Sequence, residues 1–261
     1  MRGPSAHRNA VACTLAVAVL ALASAGTAQQ RTSARDLLSP ELAAMQADDG
    51  RNPGMLWVEQ GAKLWQSPDG AGATSCATCH GDAKASMQGV ATRYPAVDRQ
   101  SGQLLNLELR INQCRTERMQ AAPYPYESDA LLGLTAYVAH QSRGLAMSVR
   151  IDGVAAQFYA RGKALYVERQ GQLNVACVQC HDDNVGKRLR GDRISSGLPT
   201  GYPAYRLDWQ KAGSLHRRLR ACSLGVRAHQ FDIGAPEYLA LELYLAARAA
   251  GAPIETPGVR K

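Results

Sequence analysis

The sequence predicts a mainly α-helical protein built from two tandem copies of one small domain. A set of short motifs recurs with an offset of about 100 residues, which is typical of an internal duplication. The segment that closes each copy has the apolar spacing of an amphipathic helix. The length of 261 residues suffices for two small domains. Apolar residues make up 46% and charged residues 20%, which excludes collagen-like, wholly disordered and heavily charged classes.

The N-terminal segment predicts export from the cytoplasm. Arg2 and Arg8 precede an apolar run at residues 11–23, and small residues follow at Gly26-Thr27-Ala28. This is the pattern of a cleaved signal peptide, here residues 1–28, and it predicts a periplasmic mature chain. An uncleaved membrane anchor is the alternative, but the run is short for spanning a bilayer. Of the seven cysteines, Cys13 lies inside this leader.

Two C-x-x-C-H motifs carry the strongest chemical signal in the sequence. The first spans Cys76, Cys79 and His80, and the second spans Cys177, Cys180 and His181. This spacing attaches c-type haem: the two thiols bond to the porphyrin, and the adjacent histidine ligates the iron. A short helical turn places all three side chains on one face. A zinc half-site, a disulfide or a thioredoxin-like pair is the alternative for a single motif, but two such motifs in an exported chain indicate two covalent haems.

The repeat extends on both sides of the haem motifs and sets the domain organisation. Each copy has a Gly-x-x-Leu-aromatic segment before its motif, then a Tyr-Pro-Ala segment, a helix with a further cysteine and a closing helix. This order is the plan of a class I cytochrome c domain. We therefore predict an N-terminal extension at residues 29–50, domain 1 at 51–147 and domain 2 at 148–261. The extra residues of copy two predict a longer loop near residues 187–200.

The further cysteine of each copy lies at an equivalent place, at Cys114 and Cys222. Two interpretations remain open: a disulfide between the copies, or a thiolate ligand to the iron of each copy's own haem. Ligation requires only that the two copies fold alike, and no methionine recurs at equivalent places. We therefore expect His80 and Cys114 to ligate one haem, and His181 and Cys222 to ligate the other.

Basic residues around the second cysteine indicate which copy is catalytic. Arg218 lies four residues before Cys222 and shares its helix face, with Arg217 and Arg220 beside it. Copy one has only Arg110 at the matching place. A guanidinium there stabilises a thiolate and binds an oxyanion through two hydrogen bonds. The net charge of +8 is spread along the chain, which argues against a nucleic-acid-binding arm. We expect His216 and His229 at the surface or behind the site.

These residues resemble the SoxA family, whose members are catalytic subunits of the SoxAX cytochrome complex of bacterial sulfur oxidation. The duplicated halves with an extra cysteine each, and the Arg218-x-x-x-Cys222 motif, carry the resemblance over about residues 30–250. It implies L-cysteine S-thiosulfotransferase activity: thiosulfate is conjugated oxidatively to a cysteine of the SoxYZ carrier. It further implies that Cys222 is the active cysteine, commonly a persulfide, and that Arg218 holds the sulfonate. Electrons would pass to the haem of SoxX and then to a soluble cytochrome c.

Two other functions fit parts of the pattern. A dihaem thiosulfate dehydrogenase couples two thiosulfates to tetrathionate, but we expect its second haem to have a ligand other than cysteine. A plain electron-transfer cytochrome needs no arginine cluster. Dependence on a carrier protein separates the first of these from the SoxA interpretation.

Overall fold

Helices dominate the computed structural model, which describes residues 31–189 and 191–261 together with Met1 and Gly3. The predicted signal peptide, with Cys13, otherwise lies outside the described residues. The described chain from Arg31 to Lys261 forms one compact unit. None of its helices has the length and apolar character needed to cross a membrane.

The predicted duplication recurs in the order of the helices. Each copy has a long first helix, a short helix with the haem motif, a helix with the further cysteine and a long closing helix. In copy one these are α2 (Met55–Gln66), α3 (Cys76–His80), α5 (Leu107–Glu117) and α6 (Asp129–His140). In copy two they are α7 (Ala155–Val167), α8 (Cys177–His181), α9 (Leu215–Gly225) and α10 (Pro236–Arg248). The helices α1 (Pro40–Ala47) and α4 (Ala83–Ser86) have no equivalent in copy two.

The first and last helices of each copy cross at a glycine. A Cβ atom added to Gly61 of α2 would lie 2.1 Å from the carbonyl oxygen of Gly133 in α6. The equivalent Gly162 of α7 would place one 2.0 Å from the carbonyl oxygen of Ala240 in α10. Only glycine permits such an approach of two backbones. The crossing brings the apolar faces of α6 and α10 into the core, where Leu131 and Leu243 are fully buried.

Both copies contain short strands, and the last of these strands lies at the C-terminus. Copy one has a hairpin of β1 (Ala96–Val97) and β2 (Leu104–Leu105), and the long loop of copy two contains another, of β3 (Arg188–Leu189) and β4 (Asp192–Arg193). A three-stranded sheet follows in copy two, with β5 (Ala204–Arg206) between β6 (Lys211–Gly213) and the C-terminal β7 (Gly258–Arg260). The β5–β6 pair is antiparallel, and β5–β7 is parallel.

The N-terminal extension packs against the end of the chain. The backbone N–H of Val259 donates to the side chain of Gln46 at 2.9 Å, and the Asn52 amide donates to the Pro257 carbonyl at 2.9 Å. Both polar side chains are buried. Gln46 of the extension and Asn52 just after it therefore anchor the C-terminal segment that contains β7.

Candidate haem and active site

The motif helix of copy two presents a histidine in a fixed orientation. His181 Nδ1 lies 2.7 Å from the carbonyl oxygen of Ser195. Because a carbonyl only accepts, Nδ1 carries a proton, and Nε2 is the ring nitrogen available to an iron. Gly197 makes this arrangement possible, since it has φ +69 and a Cβ there would lie 3.1 Å from the His181 ring. The loop after α8 thus holds the histidine.

The α9 helix brings the predicted Arg218–Cys222 pair to this histidine. Ser214 begins α9 by accepting a hydrogen bond from the N–H of Arg217 at 3.2 Å. Arg218 lies four positions before Cys222, so they share one face. Burial acts to raise the pKa of the Cys222 thiol, but a hydrogen bond with His181 and the charge of Arg218 outweigh burial and lower the pKa. The site therefore favours a thiolate.

The other two arginines of α9 have different partners. The Arg217 guanidinium lies over the Trp209 ring at 4.2 Å, and Arg220 donates to the Gln230 side chain at 3.3 Å. A cation that the sequence did not predict here is Arg206, a buried residue of β5 that pairs with the exposed Asp208 at 3.1 Å and whose charge also lowers the pKa of Cys222. The sequence did not indicate this role, because Arg206 is distant from Cys222 along the chain and only the fold of β5 brings the two together.

The equivalent site of copy one favours a thiolate less. His80 is exposed and lies beside the Trp65 ring, with ring centroids 5.7 Å apart. Burial raises the pKa of the Cys114 thiol, and Arg110 only partly offsets this effect. Arg110 donates to Asp98 at 3.1 Å, so much of its charge is neutralised. Among the described residues, no ion pair uses Arg218. The pKa of Cys222 is thus lowered, whereas the pKa of its equivalent, Cys114, is raised.

The cysteines fit covalent haem better than the other kinds of site. All six described cysteines are free thiols, so the structure contains no disulfide between Cys114 and Cys222. In the part of the chain that the structure describes, no cluster of three or more His, Cys, Asp or Glu side chains is arranged to hold a bare metal ion. A haem needs only two thioether bonds and two axial donors from the protein. Each copy contains residues of these kinds: two motif cysteines, a motif histidine and a further cysteine.

Comparison with known proteins identifies the family. A model of the SoxA/TsdA cytochrome c domain matches residues 60–147 and 161–254. The L-cysteine S-thiosulfotransferase subunit SoxA of Pseudaminobacter salicylatoxidans is 42% identical over 217 residues, which are 83% of this chain and 76% of that protein. The chain belongs to the SoxA family. The same subunit of Rhodovulum sulfidophilum is 37% identical over 83% of this chain and 76% of its own length.

A solved SoxA-family structure confirms the predicted fold class. The crystal structure of SoxXA from P. pantotrophus superposes with a TM-score of 0.84 and 36% identity, over 88% of this chain and 86% of that chain. Two tandem cytochrome c domains in a mainly helical chain are therefore confirmed, as is the family resemblance. Membership of this family also means that the chain carries covalently attached haem.

A buried polar cluster lies where the two copies of this SoxA-family chain meet, and its members were not predicted. His216 is fully buried, which excludes a surface position and leaves the other expected place, behind the site. The N–H of Gly234 donates to His216 Nδ1 at 3.0 Å, which leaves the proton on Nε2, 2.9 Å from Glu242 Oε2. The Asn106 amide donates to the same oxygen at 3.0 Å. Glu242 Oε2 thus faces two hydrogen-bond donors.

The second acid of the cluster is Glu108, whose position in copy one is equivalent to that of His216. Burial and the nearby charge of Glu242 raise the pKa of Glu108 to about 8. Both glutamates line a cavity between the copies, together with the equivalent tyrosines Tyr94 and Tyr202. Glu108 therefore keeps its proton near neutral pH.

Replacing Glu108 with glutamine should flatten the dependence of stability on pH. The pKa of Glu108 in the folded chain, about 8, lies above the ordinary value of 4.5. Its contribution to stability is therefore complete below pH 4.5 and is lost as the pH rises through 8. Since glutamine mimics the neutral acid, E108Q should exceed wild type in Tm by several degrees at pH 9 and match it at pH 5.

The matched control for E108Q is E59Q, which changes an exposed glutamate of α2. Thermal unfolding of the holoprotein at pH 5, 7 and 9 gives the comparison. If the curves for E108Q and wild type run parallel across this range, Glu108 does not hold its proton as described.

Proposed function

We propose that this chain is the catalytic, dihaem subunit of an L-cysteine S-thiosulfotransferase. The relatives named above carry that name, and the function follows from the family. The observation that carries the proposal is the pairing of Arg218 and Cys222 on one face of α9, against His181 of the haem motif. A sulfur nucleophile beside a guanidinium that forms no ion pair with the residues the structure describes suits a small dianion that contains sulfur.

The reaction joins thiosulfate to a thiol and releases two electrons. A carrier cysteine, R–SH, and S₂O₃²⁻ give R–S–S–SO₃⁻, one proton and two electrons. The S–H bond of the thiol breaks, and a new S–S bond forms to the outer sulfur of thiosulfate. Arg218 would bind the sulfonate oxygens through two parallel hydrogen bonds, which leaves the outer sulfur directed towards Cys222. Arg206 would add positive charge that favours binding of the dianion.

Each haem would be held by residues of one copy. Cys76 and Cys79 would form the thioether bonds of the first, and His80 and Cys114 would ligate its iron. Cys177 and Cys180 would bind the second, and His181 and Cys222 would ligate its iron. When bound, the second haem supplies an electron acceptor next to the reacting sulfur. Cys222 would thus be both ligand and active cysteine, whereas Cys114 would be a ligand only.

The partners follow from the electron count and from the family. The solved relative is a complex with SoxX, and we propose SoxX as the second subunit here. SoxYZ would be the carrier of the acceptor cysteine, and electrons would leave through the SoxX haem to a soluble cytochrome c. The predicted signal peptide and the covalent haem both favour a periplasmic location.

The alternative is a dihaem thiosulfate dehydrogenase, because the matching family model covers both SoxA and TsdA. The experiment is to incubate the holoprotein and SoxX with thiosulfate and oxidised cytochrome c, with and without SoxYZ. We expect cytochrome c reduction only with SoxYZ and no tetrathionate. Reduction without SoxYZ, accompanied by tetrathionate, would establish the dehydrogenase instead.

A further inference from the structure

The turn before α6 holds a glutamate in a conformation that favours glycine. Glu127 has φ +64, in the left-handed region. The equivalent position before α10 in copy two is Gly234, with φ +86. A side chain in this region strains the backbone and persists where surrounding contacts hold it there. The contacts of Glu127 therefore indicate why copy one does not use glycine.

The carboxylate of Glu127 reaches across to the start of α9 in copy two. Its Oε1 accepts a hydrogen bond from the backbone N–H of Ser214 at 3.1 Å. Its Oε2 is buried, with no hydrogen-bond partner among the described residues, and lies 3.9 Å from Nη1 of Arg217. Ser214 is the residue that caps α9. A side chain of copy one thus binds the N-terminus of the helix that carries Arg218 and Cys222.

Neighbouring residues hold the same end of α9. The ring of Tyr126 stacks on His216, with centroids 5.6 Å apart and planes inclined by 7°. The N–H of Gly234 fixes the other edge of His216. Arg217 contacts Glu127 on one side, at 3.9 Å, and lies against the Trp209 ring on the other. The turns that precede α6 and α10 therefore both contact the first turn of α9, and Glu127 provides the charged contact.

We propose that Glu127 is a positioning residue for the reaction at Cys222, acting through Ser214 and Arg217. It fixes the axial position and rotation of α9, and so determines where Arg218 and Cys222 point. This inference rests on the proposed function, because it names a structural requirement of the same site. It gives copy one a role in catalysis that does not depend on its own haem. Glu127 itself does not contact Cys222 or Arg218 and is not a catalytic residue.

The decisive variant is E127G, which removes the carboxylate and relieves the strained backbone together. We expect Tm to change little, because relief of the strained backbone offsets the lost hydrogen bond to Ser214. We expect kcat/KM for thiosulfate to fall about tenfold, because small displacements of aligned groups slow reactions strongly. Amide exchange in the first turn of α9 should accelerate, and the electron paramagnetic resonance signal of the Cys222-ligated haem should broaden. Activity thus falls without a matching loss of stability, which a merely structural role would not produce.

Two further variants sharpen the test. E127Q keeps an oxygen that accepts from Ser214 but loses the charge facing Arg217, so kcat/KM should fall by about threefold or less. D129N is the matched control in the same interface: Asp129 contacts Lys211 at 3.0 Å and Trp57 at 3.1 Å, and neither belongs to α9. D129N should keep the wild-type kcat/KM and the wild-type haem signal.

Two results would overturn the proposal. One is an E127G protein with wild-type kcat/KM, wild-type exchange in α9 and an unchanged haem signal. The other is activity lost only in proportion to lost haem or folded protein. If wild type itself does not conjugate thiosulfate, the proposed function fails, and the exchange rates and haem signal of E127G still decide whether Glu127 positions α9.

Discussion

Replacing Cys222 with alanine should lower carrier-dependent cytochrome c reduction more than about a thousandfold, the scale of losing a nucleophile. The haem should remain attached, because the thioether bonds come from Cys177 and Cys180 on a separate helix. The loss follows from the position of Cys222, where His181 and Arg218 act together to favour a thiolate. The assay uses holoprotein, SoxX and SoxYZ, with haem counted per chain.

The duplication supplies the matched control, C114A. Cys114 is the repeat equivalent of Cys222, but burial raises the pKa of its thiol, and Asp98 neutralises its arginine. C114A should therefore keep activity within about tenfold of wild type while it changes the spectrum of the first haem. Equal losses in C114A and C222A would contradict the assignment of catalysis to copy two.

Replacing Arg218 with alanine should lower kcat/KM for thiosulfate about a hundredfold, because a charge-assisted bidentate contact with the sulfonate is lost. R218K keeps the charge but not the planar pair of donors, so it should recover only part of the loss. The measurement is initial rates against thiosulfate concentration at fixed SoxYZ.

The control for the Arg218 variants is R110A, which removes the equivalent arginine of copy one. Arg110 is paired with Asp98 and is 42% exposed, so R110A should stay within about twofold of wild type. A wild-type KM for thiosulfate in R218A would mean that the sulfonate binds elsewhere.

The repeat made much of this fold predictable. Haem attachment requires a fixed spacing, so Cys76 and Cys177 mark the two copies without any structural information. Helix boundaries follow from capping chemistry: Asn106 and Ser214, at equivalent positions, each accept a hydrogen bond from an N–H in the first turn of the next helix. The shared face of Arg218 and Cys222 was also predictable, because side chains four positions apart lie on the same face of a helix.

Features that depend on how the copies meet were not predictable. His216 and Glu242 belong to different helices, and only the packing of α9 on α10 places them 2.9 Å apart. Glu242 is a charged residue within an apolar run, which indicates a buried charge. The run does not indicate which residues contact it. Arg206 reaches the site because β5 pairs with both β6 and the distant β7, a long-range parallel contact. Local patterns carry no information about such pairs.

The most direct test of the central claim is the number of electrons released per carrier adduct. Wild-type holoprotein with SoxX is mixed with thiosulfate, SoxYZ and oxidised cytochrome c, and adducts on the carrier cysteine are counted by mass spectrometry. We expect two cytochrome c molecules reduced for each thiosulfonate formed, and neither product with C222A that retains its haem. Cytochrome c reduction without a carrier adduct, or adduct formation that survives C222A, would contradict oxidative conjugation at Cys222.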